Sequence, residues 1–346
     1  MRKKDLSVLK LKNLNLDNKI SKIYSSFKLQ LDKHVKKNPF LVAVSGGPDS
    51  LALSALSHIY KKEKKNKVFF ALVNHNIRLN SSKEATAVKS LFKKKKINLT
   101  ILKNKQKINK NIQSHARDVR YKLLLDFCHK QKIKFIVVGH HRDDQIETFL
   151  IRLSRGSGVQ GLSSMSKITK LDRKTKILRP LLTEKKQDLI LIARYYFGKI
   201  FKDPSNNNQK YLRTKIRNLV KQFEKSGIKH DRIIKSIDNL ASTRDTLNLY
   251  IQKVEKTCVI SKKNKIFVSL KNFLLENNEI QLKILNNCIK NISKNYYPSR
   301  AKKVLNLLVK IKANEKLKAT LGGCVIERLK NNLTIYKEKL NNSKNS

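Results

Sequence analysis

Apolar residues in the first 140 positions collect into four short, nearly unbroken runs, at 40–44, 68–73, 99–102 and 135–138. Runs of this length without polar alternation fit strands buried on both faces. The stretches between them change period. Ala52, Leu56 and Ile59 follow the first run at helical spacing, and Ile112, Ala116, Val119, Leu123 and Phe127 precede the fourth. A further amphipathic element starts at Asp143, with Ile146, Phe149, Leu150 and Leu153 expected to face inward. Strands alternating with helices predict a parallel sheet, and ligands gather at the carboxyl ends of such strands. One rim should therefore carry 45–50, Asn74-His75 and Gly139-His140-His141.

The character changes further on. From about 226 glycine almost vanishes until Gly322-Gly323, and Lys, Asn, Leu and Ile recur at helical spacing, with short strands expected near 316–320 and 333–336. The pattern predicts an α/β, Rossmann-like parallel-sheet domain over 1–225 and a mainly helical accessory domain over 226–346. No internal repeat is present, and the tail from Asn341 is low in complexity.

Charge adds a partner. Lys and Arg number 78 against 25 Asp and Glu, a net charge of +53 that attracts polyanions, nucleic acid first. Part of the lysine excess follows from the Lys/Asn/Ile bias expected of A/T-rich coding. Arginine does not fit that account: 11 of the 16 arginines lie between Arg78 and Arg217, where planar forks that grip phosphate or carboxylate are expected. Cys128, Cys258, Cys288 and Cys324 are too scattered for a zinc site or a disulfide framework and read as reduced thiols. No apolar run approaches the roughly 18 residues of a membrane span, so a cytoplasmic location and no membrane partner are expected.

The chemistry concentrates in a few motifs. Ser45-Gly46-Gly47-Pro48-Asp49-Ser50 joins a strand to a helix, where paired glycines aim successive N–H groups into one concavity and the helix dipole favours an anion. Pro48 suits the first helical turn, and Asp49 and Ser50 stand ready for a metal ion or a ribose. The loop lacks the Gly-Lys-Ser/Thr end of a Walker loop and is not G-x-G-x-x-G. Gly139 to Thr148 crowds two histidines and Asp143, Asp144 and Glu147 behind a strand. Asp143 would cap the helix, while a neutral histidine donates to a developing oxyanion and carboxylates hold Mg²⁺ or an amine. Asn74-His75-Asn76-Ile77-Arg78 is a weaker rim motif, and Arg155-Gly156-Ser157-Gly158-Val159-Gln160-Gly161-Leu162 a glycine-rich loop.

The hexapeptide resembles the S-G-G-x-D-S loop of ATP pyrophosphatases, which split ATP between its α and β phosphates. Together with N-H-N-I-R, A-R-x-x-R-Y at 116–121, G-H-H-R-D-D-Q-I-E-T, R-G-S-G-V-Q-G-L, R-P-L-L at 179–182 and D-P-S-N at 203–206, it resembles the bacterial tRNA(Ile)-lysidine synthase family. The resemblance implies an ATP pyrophosphatase domain that ligates L-lysine to C2 of the wobble cytidine of tRNA(Ile) with a CAU anticodon, through an adenylated cytidine, giving AUA decoding. It implies ATP held by Ser45, Gly46, Gly47, Pro48, Asp49 and Ser50, with Mg²⁺ on Asp49. By the same resemblance His140 stabilises charge at the α-phosphate and Asp144 and Glu147 meet metal or the lysine ammonium. Arg117, Arg155, Arg213 and Arg217 meet tRNA phosphate or the intermediate. Where the family commonly has R-N-R-I-R, this chain has Arg213-Thr214-Lys215-Ile216-Arg217. The C-terminal half is expected to be a shorter form with one accessory domain, helping to bind tRNA; a homodimer is left open. Alternatives are a tRNA thiolation enzyme, which needs a catalytic cysteine or an iron–sulfur cluster, and a tRNA-binding module without catalysis.

Overall fold

Each of the four apolar runs is a strand: β1 (Phe40–Val44), β2 (Val68–Asn74), β3 (Leu99–Lys103) and β4 (Phe135–Val137). The structure, a computed structural model, describes residues 14–77, 80–104, 112–201, 212–293 and 299–338. Arg78, Asp203 to Asn206 and the tail from Asn341 lie outside the described residues. Helix α1 (Leu14–His34) comes first, and α2 (Pro48–Lys64), α3 (Ser81–Lys94) and α4 (Ile112–Lys130) alternate with the strands. Then follow α5 (Arg142–Leu153), α6 (Val159–Leu162), β5 (Ile168–Lys170), β6 (Lys176–Leu178), α7 (Lys186–Phe197), α8 (Leu212–Lys225) and α9 (His230–Cys258).

The first sheet runs β3-β2-β1-β4-β6-β5. Its pairs are parallel except at the edge, where β5 lies antiparallel to β6. Phe40 stands opposite Val68 on one side and Phe135 on the other, so the strand order reverses between β1 and β4. That is a topological switch point, where the loops after two neighbouring strands diverge and leave a crevice. Leu41, Val42, Ile136 and Val137 are fully buried, which is why these strands lack polar alternation.

Helix α2 is buried on more than one face: Leu51, Ala52, Leu53, Ala55 and Leu56 are inaccessible, and Ser50, Ser54 and Ser57 are buried between them. Small serines keep the helix slim enough to be covered on two sides, and Ser54 Oγ donates a hydrogen bond to the Ser50 carbonyl at 2.7 Å. In α4 the innermost residues are Leu124 and Cys128, while Ala116, Val119, Leu123 and Phe127 are only partly covered.

Two expectations for α5 are corrected. Leu153 is 50% exposed, whereas Glu147, at 4%, points inward because arginines meet it there. The helix is capped by His141 rather than Asp143: His141 Nδ1 accepts from Asp143 N at 3.2 Å, and Asp144 Oδ2 accepts from His141 N at 3.1 Å. Imidazole reaches the second N–H of the helix as a short carboxylate would.

The chain divides into two compact units, Met1–Ala241 and Ser242–Ser346. The first takes in the start of α9 because Ile233 and Ile237 pack with Ile146 and Leu150 of α5 and Ile216 and Val220 of α8. The second holds the rest of α9, β7 (Val259–Lys262), β8 (Lys265–Ser269), α10 (Leu270–Phe273), α11 (Asn278–Ser293), α12 (Ala301–Ala313), β9 (Lys316–Leu321), β10 (Cys324–Leu329) and β11 (Asn332–Lys337). Its helices pack on a five-stranded antiparallel sheet, β7-β8-β11-β10-β9, of which the periodicity had indicated only β9 and β11. Gly322 and Gly323, both with positive φ, turn β9 into β10. All four cysteines are buried free thiols, and among the described residues no helix is long and apolar enough to cross a membrane.

Candidate active site

The loop after β1 is tied into a cup by its own side chains. Ser50 Oγ accepts from Ser45 N at 3.1 Å and donates to the Gly47 carbonyl at 3.0 Å, which closes the turn from the helix side. Gly46 has φ +83, and a Cβ there would stand 2.8 Å from Val88 Cγ2, so only glycine fits. Gly47 is the N-cap of α2 and Pro48 opens its first turn, leaving the positive end of the helix dipole aimed at the cup.

The turn after β4 closes on this loop from the neighbouring strand. A Cβ at Gly139 would lie 2.8 Å from the Asp49 carbonyl oxygen. His141 Nε2 stands 3.6 Å from Asp49 Oδ2 and 3.6 Å from Asp144 Oδ2. Burial opposes charge on His141, but the nearby carboxylates of Asp49, Asp144 and Asp143 outweigh burial and raise its pKa. His140 is shifted the other way. Burial first, then the charges of Arg179, Arg213 and Arg117 against the opposing pull of Asp144, bring its pKa down to about 3. Arg179 Nε donates to His140 Nδ1 at 3.2 Å. Two adjacent histidines thus differ: one caps a helix among carboxylates, the other is a neutral imidazole among arginines.

Helix α8 supplies the third side. Arg213 Nε donates to Glu147 Oε2 at 2.7 Å, and Arg217 Nε to Glu147 Oε1 at 2.6 Å. Arg213 Nη2 is 3.4 Å from Asp144 Oδ1. One helical turn separates the arginines, and Ile216 and Val220 bury the same side of α8 against α5, so packing delivers both guanidiniums to one carboxylate. In the departure from the family pattern, Thr214 is buried and Lys215 exposed, so only the outer arginines reach Glu147. Burial would raise the pKa of Asp144, but His141, His140 and Arg213 and the His141 N–H keep it below the usual carboxylate range.

Other expected residues stand further out. Arg117 is exposed on α4 with its guanidinium 5.1 Å from the Tyr121 ring centre, close enough for its charge to act on His140. Arg155 is exposed at the end of α5; the arginine that organises the glycine-rich loop is Arg152, which donates to the carbonyls of Gly161 at 2.7 Å and Ser164 at 2.9 Å. His75 receives Arg120 Nε at 3.5 Å, and burial first, then Arg120, lowers its pKa to about 4.

A family model described as a PP-loop domain matches residues 13–223. The tRNA(Ile)-lysidine synthase of Wolbachia pipientis wMel is 36% identical over 306 residues, covering 87% of this chain and 71% of the relative. That of Orientia tsutsugamushi is 32% identical, covering 88% and 70%. The chain belongs to the tRNA(Ile)-lysidine synthase family. Its fold is shared more widely: the U34-tRNA thiolase NcsA of Methanococcus maripaludis, solved with its [4Fe-4S] cluster, superposes with a TM-score of 0.56 at 21% identity, covering 66% of this chain and 80% of that one.

The PP-loop domain is the ATP-utilising part, and the cup at 45–50 lies within the matched residues. Two residues of this member escaped the motif reading in their roles. Gln145 clamps the segment beyond the glycine-rich loop, donating to Met165 O at 2.9 Å and accepting from Met165 N at 2.8 Å. Arg179 is a buried arginine turned onto His140; the R-P-L-L motif and the local arginine enrichment mark the residue, but neither indicates that contact.

Proposed function

We propose that this chain ligates L-lysine to C2 of the wobble cytidine of a tRNA(Ile) with a CAU anticodon, converting ATP to AMP and pyrophosphate. In the first step the cytidine O2 attacks the α-phosphorus and pyrophosphate leaves. In the second the lysine ε-amine, having lost a proton, attacks C2; the C2–O bond breaks and AMP leaves. The observation that carries the reading is the meeting, at the β1/β4 switch point, of a phosphate cradle with a turn bearing a neutral imidazole.

The N–H groups of 45–50 and the end of α2 would bind the phosphates leaving as pyrophosphate, and His140 would donate to the charge growing at the α-phosphate. Arg213 and Arg217, aimed by Glu147, suit the phosphate of the adenylated base. Asp144 is the better acceptor for the lysine ammonium, because both oxygens of Glu147 already receive arginines while Asp144 Oδ1 has one contact at 3.4 Å.

Mg²⁺ fits one position. Asp49 Oδ1 is buried with no hydrogen-bond partner, an uncompensated acceptor beside the cradle, and Mg²⁺ commonly rests on one or two carboxylates plus phosphate oxygens. When bound it would neutralise phosphate charge. Among the described residues no three His, Cys, Asp or Glu side chains cluster as a metal cage. The reaction requires a compartment holding ATP and tRNA, which is the cytoplasm.

A thiolation reading is less favoured. Cys258, Cys288 and Cys324 belong to the core of the second unit, and Cys128 is fully buried in α4, its thiol pKa pushed up to about 12 first by burial and then by Asp172. Incubating a tRNA pool with the protein, ATP and isotopic lysine, then measuring nucleoside masses, tests the proposal. A lysyl mass gain on cytidine is expected; a sulfur gain, or none, would overturn it.

A further inference from the structure

We propose that Arg179 sets the tautomer of His140, keeping the ring proton on Nε2 and leaving Nδ1 as an acceptor. Arg179 is 5% exposed and follows β6, the strand beside β4. Leu178 pairs with Val137, and Val138 N donates to Leu178 O at 3.0 Å, so the residues that continue these two strands run side by side. Arg179 Nε then meets His140 Nδ1 at 3.2 Å, while Nη1 donates to Ser166 O at 2.9 Å and Thr169 Oγ1 at 2.7 Å.

A guanidinium carries only donors and does not lose its proton in this environment. The ring nitrogen facing it must offer a lone pair. In a neutral imidazole the single proton then stands on the other nitrogen. The two anchors on Nη1 fix the plane of the fork, so the ring inherits an orientation as well as a tautomer. Lysine could reach one of these acceptors but not hold the same plane against all three. Arg179 is thus a positioning residue, acting on the reaction through His140.

The inference rests on the reading of His140 as a donor toward the α-phosphate, and the test separates the two. In the full chain labelled with ¹⁵N-histidine, long-range proton–nitrogen spectra at pH 7 report which ring nitrogen is protonated, with His140 assigned by the signal missing from His140→Gln. The parent should show a protonated Nε2 and a bare Nδ1; a proton on Nδ1, or an even mixture, overturns the inference whatever the activity. Arg179→Met should give a mixture of tautomers and lower kcat by about 100-fold, with KM for ATP within about twofold of the parent, and Arg179→Lys should not restore kcat. An unchanged tautomer in Arg179→Met also overturns it. If the tautomer shifts while kcat stays at the parent value, the positioning by Arg179 stands and the donor role of His140 falls. Should Arg179→Met fail to fold, the parent spectrum still decides, and Thr169→Val, which removes one anchor, should broaden or mix the His140 signals.

Discussion

Gly139 presses on the backbone of Asp49: a Cβ there would stand 2.8 Å from the Asp49 carbonyl oxygen and 3.0 Å from its carbonyl carbon. Neither atom is the end of a flexible side chain, so the clash cannot be relieved without parting the two loops. Gly139→Ala should raise KM for ATP at least tenfold and lower stability by about 1–3 kcal/mol, as overpacking usually does. Steady-state kinetics and urea unfolding check this. An unaltered KM would mean that the turn after β4 has no part in shaping the cradle.

Glu147 is the shared partner of Arg213 and Arg217, at 2.7 and 2.6 Å. Burial acts against the charge on Arg217, but the hydrogen bond and charge of Glu147 hold its proton more tightly than usual. Glu147→Gln keeps the shape and removes the charge, so the arginines lose their aim while the site becomes more positive. Turnover should fall by about 100-fold with tRNA binding retained or tightened. The loss of stability should be modest, about 1–2 kcal/mol, since Arg213 is 43% exposed and solvent screens it. A rise in KM for lysine with kcat preserved would instead make Glu147 the ammonium site.

Stability should decline in mild acid. Burial first, then the charges of Lys62 and Lys61, lowers the pKa of His58 to about 4, and His58 Nδ1 lies 2.6 Å from Tyr196 Oη. His75 and His140 are lowered likewise, to about 4 and about 3. Below pH 6.5 the unfolded chain takes up protons at these rings that the fold refuses, so stability is lost progressively as pH falls from about 6.5 toward 4. Thermal midpoints at pH 7, 6 and 5 should therefore descend, and His58→Phe should make the descent shallower. A level midpoint over that range would show that these rings titrate normally.

Binding of tRNA should be steeply salt-dependent, given the net charge of +53. If about six phosphates are neutralised, affinity should drop by roughly 10³ between 50 and 200 mM salt. A flat response in filter binding would argue against a surface that follows the phosphate backbone.

The residues most legible in the sequence were those whose placement is set by neighbours in the chain. Ser45 to Ser50 identify themselves because the strand, the glycine pair and the helix start are contiguous, and His140 stands out because a strand ends just before it. Contacts spanning long separations were not legible. Arg213 and Glu147 are 66 positions apart and Arg179 and His140 are 39 apart, and no local period links either pair. The antiparallel sheet of the second unit was read only in part, because a strand such as Val259–Lys262, with one residue half-buried and the other three exposed, carries a weak apolar signal among so many lysines.

The amino-acid sequence by itself determined the parallel sheet, the glycine-bearing strand-to-helix turn at 45–50 and the family, since each depends on short stretches whose spacing and backbone needs are set locally. Only the tertiary structure decided that His141 caps α5, that His140 is neutral, and that Glu147 serves two arginines. Protonation and ion pairing depend on burial and on charges brought together by the strand order and the packing of α8 on α5, and those distances exist only once the chain has folded.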